Sequence, residues 1–281
     1  MPPAEILFSP FVLALLGLCI GSFLNVVIHR LPLMLERGWK QESAELLGVA
    51  VPETPAITLS TPRSRCPSCG HAIAWYENIP LASWFWLRGR CSACKARISA
   101  RYPVIEVATA ALFALVGWRF GTAPAALLWC AFAATLVALA AIDWDTTLLP
   151  DSMTLPLLWA GLVSAALGWT IPLGDSVWGA VAGYLSLWSV YWLFKLVTGK
   201  EGMGFGDFKL LAALGAWLGF KMVLPIVLAA SLIGAIVGIG MKMSAALREG
   251  RYVPFGPFLA GAGIVVMLAG QQRVLGWLGW V

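Results

Sequence analysis

The residues best suited to chemistry in this sequence are aspartates that lie at the ends of apolar segments. The chain has five aspartates, and three of them, Asp143, Asp145 and Asp151, fall within one short stretch. A fourth, Asp207, closes the Gly-Phe-Gly-Asp sequence at 204–207. Carboxylates at membrane depth are energetically costly, so their presence there indicates a functional role. Two that lie close together cannot both ionise easily, so one keeps its proton and the other can take a proton from water.

Such an acid and base pair is suited to hydrolysing a peptide bond without a covalent intermediate. We expect Asp143 and Asp207 to lie on one side of a membrane, because an even number of predicted crossings separates them. The glycines Gly204 and Gly206 permit a close approach of the backbone to a substrate or a neighbouring helix. Lys209 either stabilises negative charge near the pair or anchors the end of its helix, and we favour the anchor.

Other interpretations of these aspartates stay open on composition alone. An aspartate at a helix end can cap the helix or lie among lipid headgroups, and we favour this interpretation for Asp145 and Asp151. A proton or ion relay, as in transporters, is the sharper alternative for Asp143 and Asp207.

Four cysteines form two Cys-x-x-Cys pairs, Cys66 with Cys69 and Cys91 with Cys94. Two thiolates of one tight turn can reach the same ion, and zinc prefers four tetrahedral ligands of this kind. The spacing is near that of a zinc ribbon and predicts a closed, structural Zn²⁺ site. Two disulfides or a thiol redox pair are the alternatives, and a cytoplasmic location disfavours the disulfides.

Composition places most of the chain in a membrane. Of the 281 residues, 60% are hydrophobic and 12% are charged, whereas a typical soluble chain has about 25% charged residues. A transmembrane helix needs about 20 predominantly apolar residues. We therefore predict an all-α polytopic membrane protein with about eight spans, or seven if the short sixth segment joins its neighbour. The predicted spans are 8–29, 103–120, 123–142, 153–171, 175–198, 208–220, 222–241 and 257–279.

Basic residues set the predicted orientation. Residues 30–102 hold ten of the nineteen Lys and Arg residues, and such residues accumulate on the cytoplasmic side of a membrane. The first apolar run has no basic residue before it, so we expect an uncleaved anchor with its N-terminus outside. Both aspartate stretches then face the cytoplasm. Because the basic residues lie between apolar spans, the net charge of +5 does not indicate nucleic acid as a partner.

The motifs together resemble the bacterial type 4 prepilin peptidase family, whose members are GxGD membrane aspartic proteases. GxGD also resembles the motif of presenilin-type proteases, but the four-cysteine region and residues 21–32 favour the prepilin branch. The segments that carry the resemblance are 21–32, 66–69, 77–80, 91–94, 101–103, 143–151, 154–159 and 204–209.

The resemblance implies an activity and its components. Asp143 and Asp207 match the two catalytic aspartates of the family. Such enzymes remove a short basic leader from type IV prepilins and from pseudopilins of type II secretion, at the cytoplasmic face of the bacterial inner membrane. The branch with four cysteines is also associated with N-methylation of the new N-terminal residue, often Phe, by S-adenosylmethionine. The chain has no glycine-rich nucleotide fingerprint, so no methyl-donor site is assigned from the sequence.

The resemblance also implies a division of the chain. We expect residues 1–29 to form the first transmembrane helix, 30–102 a cytoplasmic zinc-binding domain, and 103–281 a membrane aspartic peptidase domain of about seven helices. Two other classes of function remain as alternatives. One is an ion-coupled carrier, and the other is a non-catalytic assembly factor that docks a secretion ATPase or pilus platform.

Overall fold

The fold is all-helical. The structure, a computed structural model, describes residues 6–49, 57–121, 125–244 and 253–280, and within them the regular elements are helices, with isolated β-bridges. The prediction of an all-α chain is confirmed for these residues. The chain divides into two compact units, residues 1–134 and 135–281.

The first unit holds two long helices joined by a mostly irregular segment. Its elements are α1 (Pro10–Leu47), a 3₁₀ helix (Trp75–Asn78), α2 (Ala82–Trp86), α3 (Arg101–Phe120) and the start of α4 (Ala125–Thr146). Helix α1 was predicted to end at residue 29, but it continues to Leu47 and ends at Gly48 with φ of 64°. Its second half is rich in polar residues, so the length of the apolar run did not predict where the helix ends.

Glycines bring α1 and α3 into backbone contact. A Cβ at Gly17 would lie 2.7 Å from Ala110 Cα, and one at Gly21 would lie 2.7 Å from Glu106 Cα. Small residues allow this approach between apolar helices, where lipid removes the hydrophobic driving force for association. Glu106 also accepts a 2.8 Å hydrogen bond from the main-chain N–H of Leu81, which ties the irregular segment to α3.

The second unit surrounds one short helix. Its elements are the end of α4, α5 (Asp151–Ala166), α6 (Leu173–Thr198), α7 (Phe205–Leu218), α8 (Phe220–Met243), α9 (Gly256–Ala269) and α10 (Gln271–Trp277). Helix α7 contacts α5, α6, α8 and α9. From Asp207 to Leu218 every residue except Lys209 is buried, so α7 is the core of this unit.

Hydrogen bonds fix α7 against two neighbours. Trp217 Nε1 donates to the main-chain oxygen of Leu157 on α5 at 2.8 Å. Ser176 Oγ on α6 donates to the main-chain oxygen of Ala216 at 2.7 Å. Buried polar groups without partners are costly in an apolar interior, and these contacts both satisfy the donors and set the position of α7.

Within the described residues, five helices are long and apolar enough to cross a membrane, and six if α9 and α10 form one broken span. Each predicted span falls on one or two of the helices, but eight crossings are not confirmed. Helices α5 and α7 have 16 and 14 residues, fewer than the roughly 20 that a full span needs. The predicted span 257–279 is two helices bent by 107° at Gly270, whose φ is 86°.

The packing of α6 against α7 gives a prediction about stability. A Cβ at Gly183 would lie 2.5 Å from Leu211 O and 2.9 Å from Ala212 Cα, both backbone atoms of α7. We expect Gly183→Ala to reduce stability by about 1–3 kcal/mol, because backbone cannot move aside as a flexible side chain can. Thermal unfolding in detergent measures the effect. The control is Gly174→Ala in the same helix, where a Cβ meets no atom within 4 Å. Equal transition temperatures for the two variants would contradict the packing.

Candidate active site

Asp143 lies in the last turn of α4 and is buried, with 5% of its surface exposed. Its Oδ2 accepts a 3.0 Å hydrogen bond from the main-chain N–H of Gly256, the first residue of α9. A main-chain N–H is a strong donor to a carboxylate. The hydrogen bond therefore joins the end of α4 to the start of α9 within the second unit.

Asp207 lies in the first turn of α7 and is also buried, with 8% of its surface exposed. Its Oδ1 has no hydrogen-bond partner among the described residues. Gly206, next to Asp207, and Gly256, which donates to Asp143, both lie against Leu149, so the two carboxyl groups lie in one small region of the second unit. The second unit thus brings together the two aspartates that the sequence singled out, from positions 64 residues apart in sequence.

Leu149 lies against the starts of α7 and α9. A Cβ at Gly206 would lie 2.7 Å from Leu149 Cβ. A Cβ at Gly256 would lie 2.5 Å from Asp143 Oδ2 and 3.2 Å from Leu149 Cδ1. The close backbone approach expected of the GxGD motif is found at Gly206. At Gly204 a side chain would meet no atom nearer than 4.0 Å, so packing gives no reason for a glycine there.

Lys209 forms an ion pair at the edge of the site. Its Nζ lies 2.7 Å from both Oδ1 and Oδ2 of Asp151, in the first turn of α5. This contact ties the start of α7 to the start of α5. Asp151 was interpreted as a cap or a polar loop group, but it lies inside the first turn of α5 and is half exposed in the pair. Asp145 lies exposed near the end of α4.

Sequence reasoning missed Gly256 and Leu149. Gly256 lies between Phe255 and Pro257, and a proline at the first helical turn is a known start signal for a helix. A glycine at such a start was therefore a usable indication of a close backbone approach. Leu149 carries no such signal, because one leucine in an apolar chain looks like any other.

The four cysteines of the two pairs, which belong to the first unit, form one cluster. The sulfurs of Cys66, Cys69, Cys91 and Cys94 all lie within 4.8 Å of one another, and those of Cys66 and Cys94 are 3.8 Å apart. Tetrahedral zinc with Zn–S bonds of about 2.3 Å has sulfurs about 3.8 Å apart. Main-chain N–H groups, led by that of Ser68, lower the pKa of Cys66 to about 6, whereas burial and the neighbouring thiols raise the pKa of Cys69 to about 11. The donor set thus fits a metal that takes four thiolates.

The two Cys-x-x-Cys turns are built alike. Gly70 N donates to Cys66 O at 2.9 Å, and Lys95 N donates to Cys91 O at 3.1 Å. Gly70 has φ of 73° and Lys95 has φ of 59°. Each turn therefore has a residue in the left-handed region at the same position. Glycine adopts that conformation without steric cost, whereas lysine does not.

A second layer of polar contacts joins the two turns. His71 Nε2 lies 3.3 Å from Glu77 Oε2 and 3.3 Å from Ser92 Oγ. Glu77 also accepts a 2.8 Å hydrogen bond from the main-chain N–H of Ala74. Hydrogen bonds from Ser92 and Ala74 hold the pKa of Glu77 below its usual value. His71 is not part of the four-sulfur cluster, and it connects the turns from outside.

Comparison with known proteins gives a consistent result over nearly the whole chain. Residues 15–120 match the bacterial peptidase A24 N-terminal domain, and residues 130–239 match the type IV leader peptidase family. A prepilin leader peptidase/N-methyltransferase from Stutzerimonas stutzeri is 51% identical over an alignment of 284 positions that covers 99% of this chain and 98% of the relative. Proteins of the same name from Aeromonas hydrophila and Pseudomonas aeruginosa are 54% and 52% identical. Each alignment covers 92% of this chain, and 90% and 89% of those relatives. No solved structure matches the chain.

The ion pair between Lys209 and Asp151 gives a prediction about the site. We expect Lys209→Gln to keep peptide-bond cleavage within about threefold of the unchanged protein, because exposed pairs contribute about 0–1 kcal/mol. Asp151→Asn should behave in the same way. Initial rates of substrate cleavage at equal amounts of folded protein measure the effect. A loss of a hundredfold in Lys209→Gln alone would show that the ammonium acts on the aspartates instead.

Proposed function

The chain belongs to the type IV leader peptidase family, and on that premise we propose that it is a membrane aspartic endopeptidase that removes the leader from type IV prepilins. We further propose that it N-methylates the residue that cleavage exposes, as the name of its relatives indicates. The observation that carries the peptidase proposal is the buried pair formed by Asp143 and Asp207 in the second unit.

The pair can perform hydrolysis as a general acid and general base. One carboxylate takes a proton from a water molecule as the water oxygen bonds to the scissile carbonyl carbon. The other carboxyl group gives its proton to the carbonyl oxygen. The tetrahedral intermediate then collapses as the C–N bond breaks, and the leaving amine takes up a proton from the pair. Burial supports this mechanism, because electrostatic effects are stronger in a site that excludes water.

The proposed substrates enter from the membrane. The basic leader of a prepilin, or of a type II secretion pseudopilin, stays in the cytoplasm while its apolar helix lies in the bilayer. The scissile bond is then held near the inner boundary of the bacterial inner membrane. The concentration of basic residues in 30–102 supports a cytoplasmic site with the N-terminus outside. In this proposal 1–29 anchors the chain, 30–102 contains the zinc-binding domain, and 103–281 is the peptidase domain.

The proposed metal is structural Zn²⁺ held by the four cysteines. The segment around them has short elements and few buried residues, and small domains with little core depend on such a cross-link. Four thiolates leave no open coordination position for catalysis. The metal would therefore stabilise this region and take no part in cleavage.

The proposed methyl donor is S-adenosylmethionine. Its sulfonium carries a methyl group that the free amine of the new N-terminal residue, often Phe, can attack directly. The support for this activity is the name shared by relatives that align with most of the chain.

The peptidase proposal predicts the effect of removing either carboxylate. Asp143→Asn and Asp207→Asn should each abolish leader removal, because one group must accept a proton and the other must donate one. Leader removal is measured by mass spectrometry of a prepilin that has been incubated with the detergent-solubilised protein, with and without S-adenosylmethionine. The matched control is Asp145→Asn, which changes an exposed aspartate of the same helix. Near-normal cleavage by Asp207→Asn would refute the proposal. Ion-coupled transport without cleavage would favour a carrier.

The metal proposal predicts the loss of zinc in a double variant. Cys66→Ser with Cys69→Ser removes two of four thiolates, so elemental analysis should find the bound zinc lost. Hydrogen exchange in residues 57–100 should become faster. Cys19→Ser, outside the cluster, should keep its zinc. Unchanged metal content in the double variant would contradict a site at these cysteines.

A further inference from the structure

The two carboxyl groups of the pair have different surroundings. Asp143 Oδ2 accepts the N–H of Gly256 at 3.0 Å in a buried position. Asp207 Oδ1 is equally removed from solvent and has no partner among the described residues. The site is therefore asymmetric before any substrate arrives, although the sequence presents the two aspartates as equivalent.

This difference favours opposite protonation states. A hydrogen bond from a backbone N–H stabilises the charged form of a carboxylate. The N–H of Gly256 also belongs to the first turn of a 14-residue helix, where the helix dipole favours negative charge. A buried carboxylate oxygen without a donor is costly when charged. Asp207 also lies in the first turn of a helix, where the backbone N–H of Gly204 acts on its carboxyl group. Its second oxygen, Oδ1, is buried and has no partner among the described residues.

Gly256 is suited to this contact for two reasons. It has no Cβ, and a Cβ there would lie 2.5 Å from Asp143 Oδ2, so any other residue must displace the carboxylate. The next residue, Pro257, has no main-chain N–H to offer in its place. The donor at this point of the fold is therefore the amide of Gly256.

We propose that Gly256 is a positioning residue that holds Asp143 ionised as the base that activates water, and leaves Asp207 as the proton-bearing acid. This inference rests on the proposed peptidase function and deepens it. Asp143 takes a proton from water as the water oxygen bonds to the carbonyl carbon, and Asp207 gives its proton to the carbonyl oxygen. When the C–N bond breaks, Asp143 returns its proton to the leaving amine, and Asp207 regains one from the hydroxyl group that becomes the new carbonyl.

The test compares two alanine variants of α9. In Gly256→Ala the added Cβ displaces Asp143, and kcat for prepilin cleavage should fall about 100-fold, as small misplacements of catalytic groups do. In Gly261→Ala a Cβ meets no atom within 4 Å, and kcat should stay within about threefold. If the unchanged protein does not cleave prepilin, the proposed function fails. If it cleaves and the two variants are equal, the role of Gly256 fails.

A pH profile separates positioning from a general loss of structure. Without the N–H of Gly256 at its oxygen, Asp143 binds a proton more tightly, so the acidic limb of kcat/KM should move to higher pH in Gly256→Ala. A purely structural defect lowers the amount of active protein and leaves the limb in place, and that result would overturn the proposal. Helix α9 has no titratable side chain. Among the described residues of the second unit, the titratable group that interacts with Asp143 is Asp207. Asp145 lies two residues further along α4, and Lys209 and Asp151 form an ion pair with each other.

Infrared difference spectra test the assignment of the proton. The stretch of a protonated carboxyl group should persist in Asp143→Asn, where Oδ1 of Asp207 still has no partner among the described residues. The band should disappear in Asp207→Asn, where the protonated carboxyl group is removed and Asp143 keeps the N–H of Gly256. The opposite pattern would assign the acid to Asp143 and overturn the proposal.

Discussion

Two carboxyl groups that lie side by side in an apolar interior repel each other when both are charged, and each is costly to bury. In the second unit, one hydrogen bond, from Gly256 N to Asp143 Oδ2, offsets part of the free-energy cost of burying the pair. The close packing around α7 holds Asp207 in its buried position. The hydrogen bond compensates one charge. The packing keeps the second carboxyl group, on Asp207, from moving out to water. Chemistry at the pair depends on both, because a mobile pair would separate and lose its coupling.

Glycines make this rigidity possible in both units. In the first unit, Gly17 and Gly21 let α1 lie against the backbone of α3. In the second unit, Gly183 does the same between α6 and α7, and Gly206 and Gly256 bring two helix starts against Leu149. Between helices in lipid, close van der Waals contact replaces the hydrophobic effect as the force for association. The glycines therefore stabilise the packing of these helices by allowing their backbones to come into close contact.

In the first unit, the cysteine cluster holds together a segment that has little hydrophobic core. The segment that carries it has few buried side chains, so burial of apolar surface contributes little to its stability. Two similar turns bring four sulfurs together, and the contacts among His71, Glu77 and Ser92 connect those turns from outside. Such outer contacts are typical of metal sites, because they orient the groups that hold the ligands. The geometry of this segment thus supports the proposal of a metal site.

The sequence by itself determined the helical class, the two cysteine pairs and the two aspartates, because composition and local spacing depend only on neighbours along the chain. It did not determine where helices end. The polar half of α1 follows no apolar pattern, and the predicted span 153–171 extends beyond α5, which ends at Ala166. Only the tertiary structure decided that Lys209 pairs with Asp151. It alone decided that Asp143 receives a donor from Gly256, 113 residues later, while Asp207 Oδ1 receives none from the residues that the structure describes. Such contacts join residues that are distant in sequence, and the pattern of residue types along the chain does not show which distant residues meet in space.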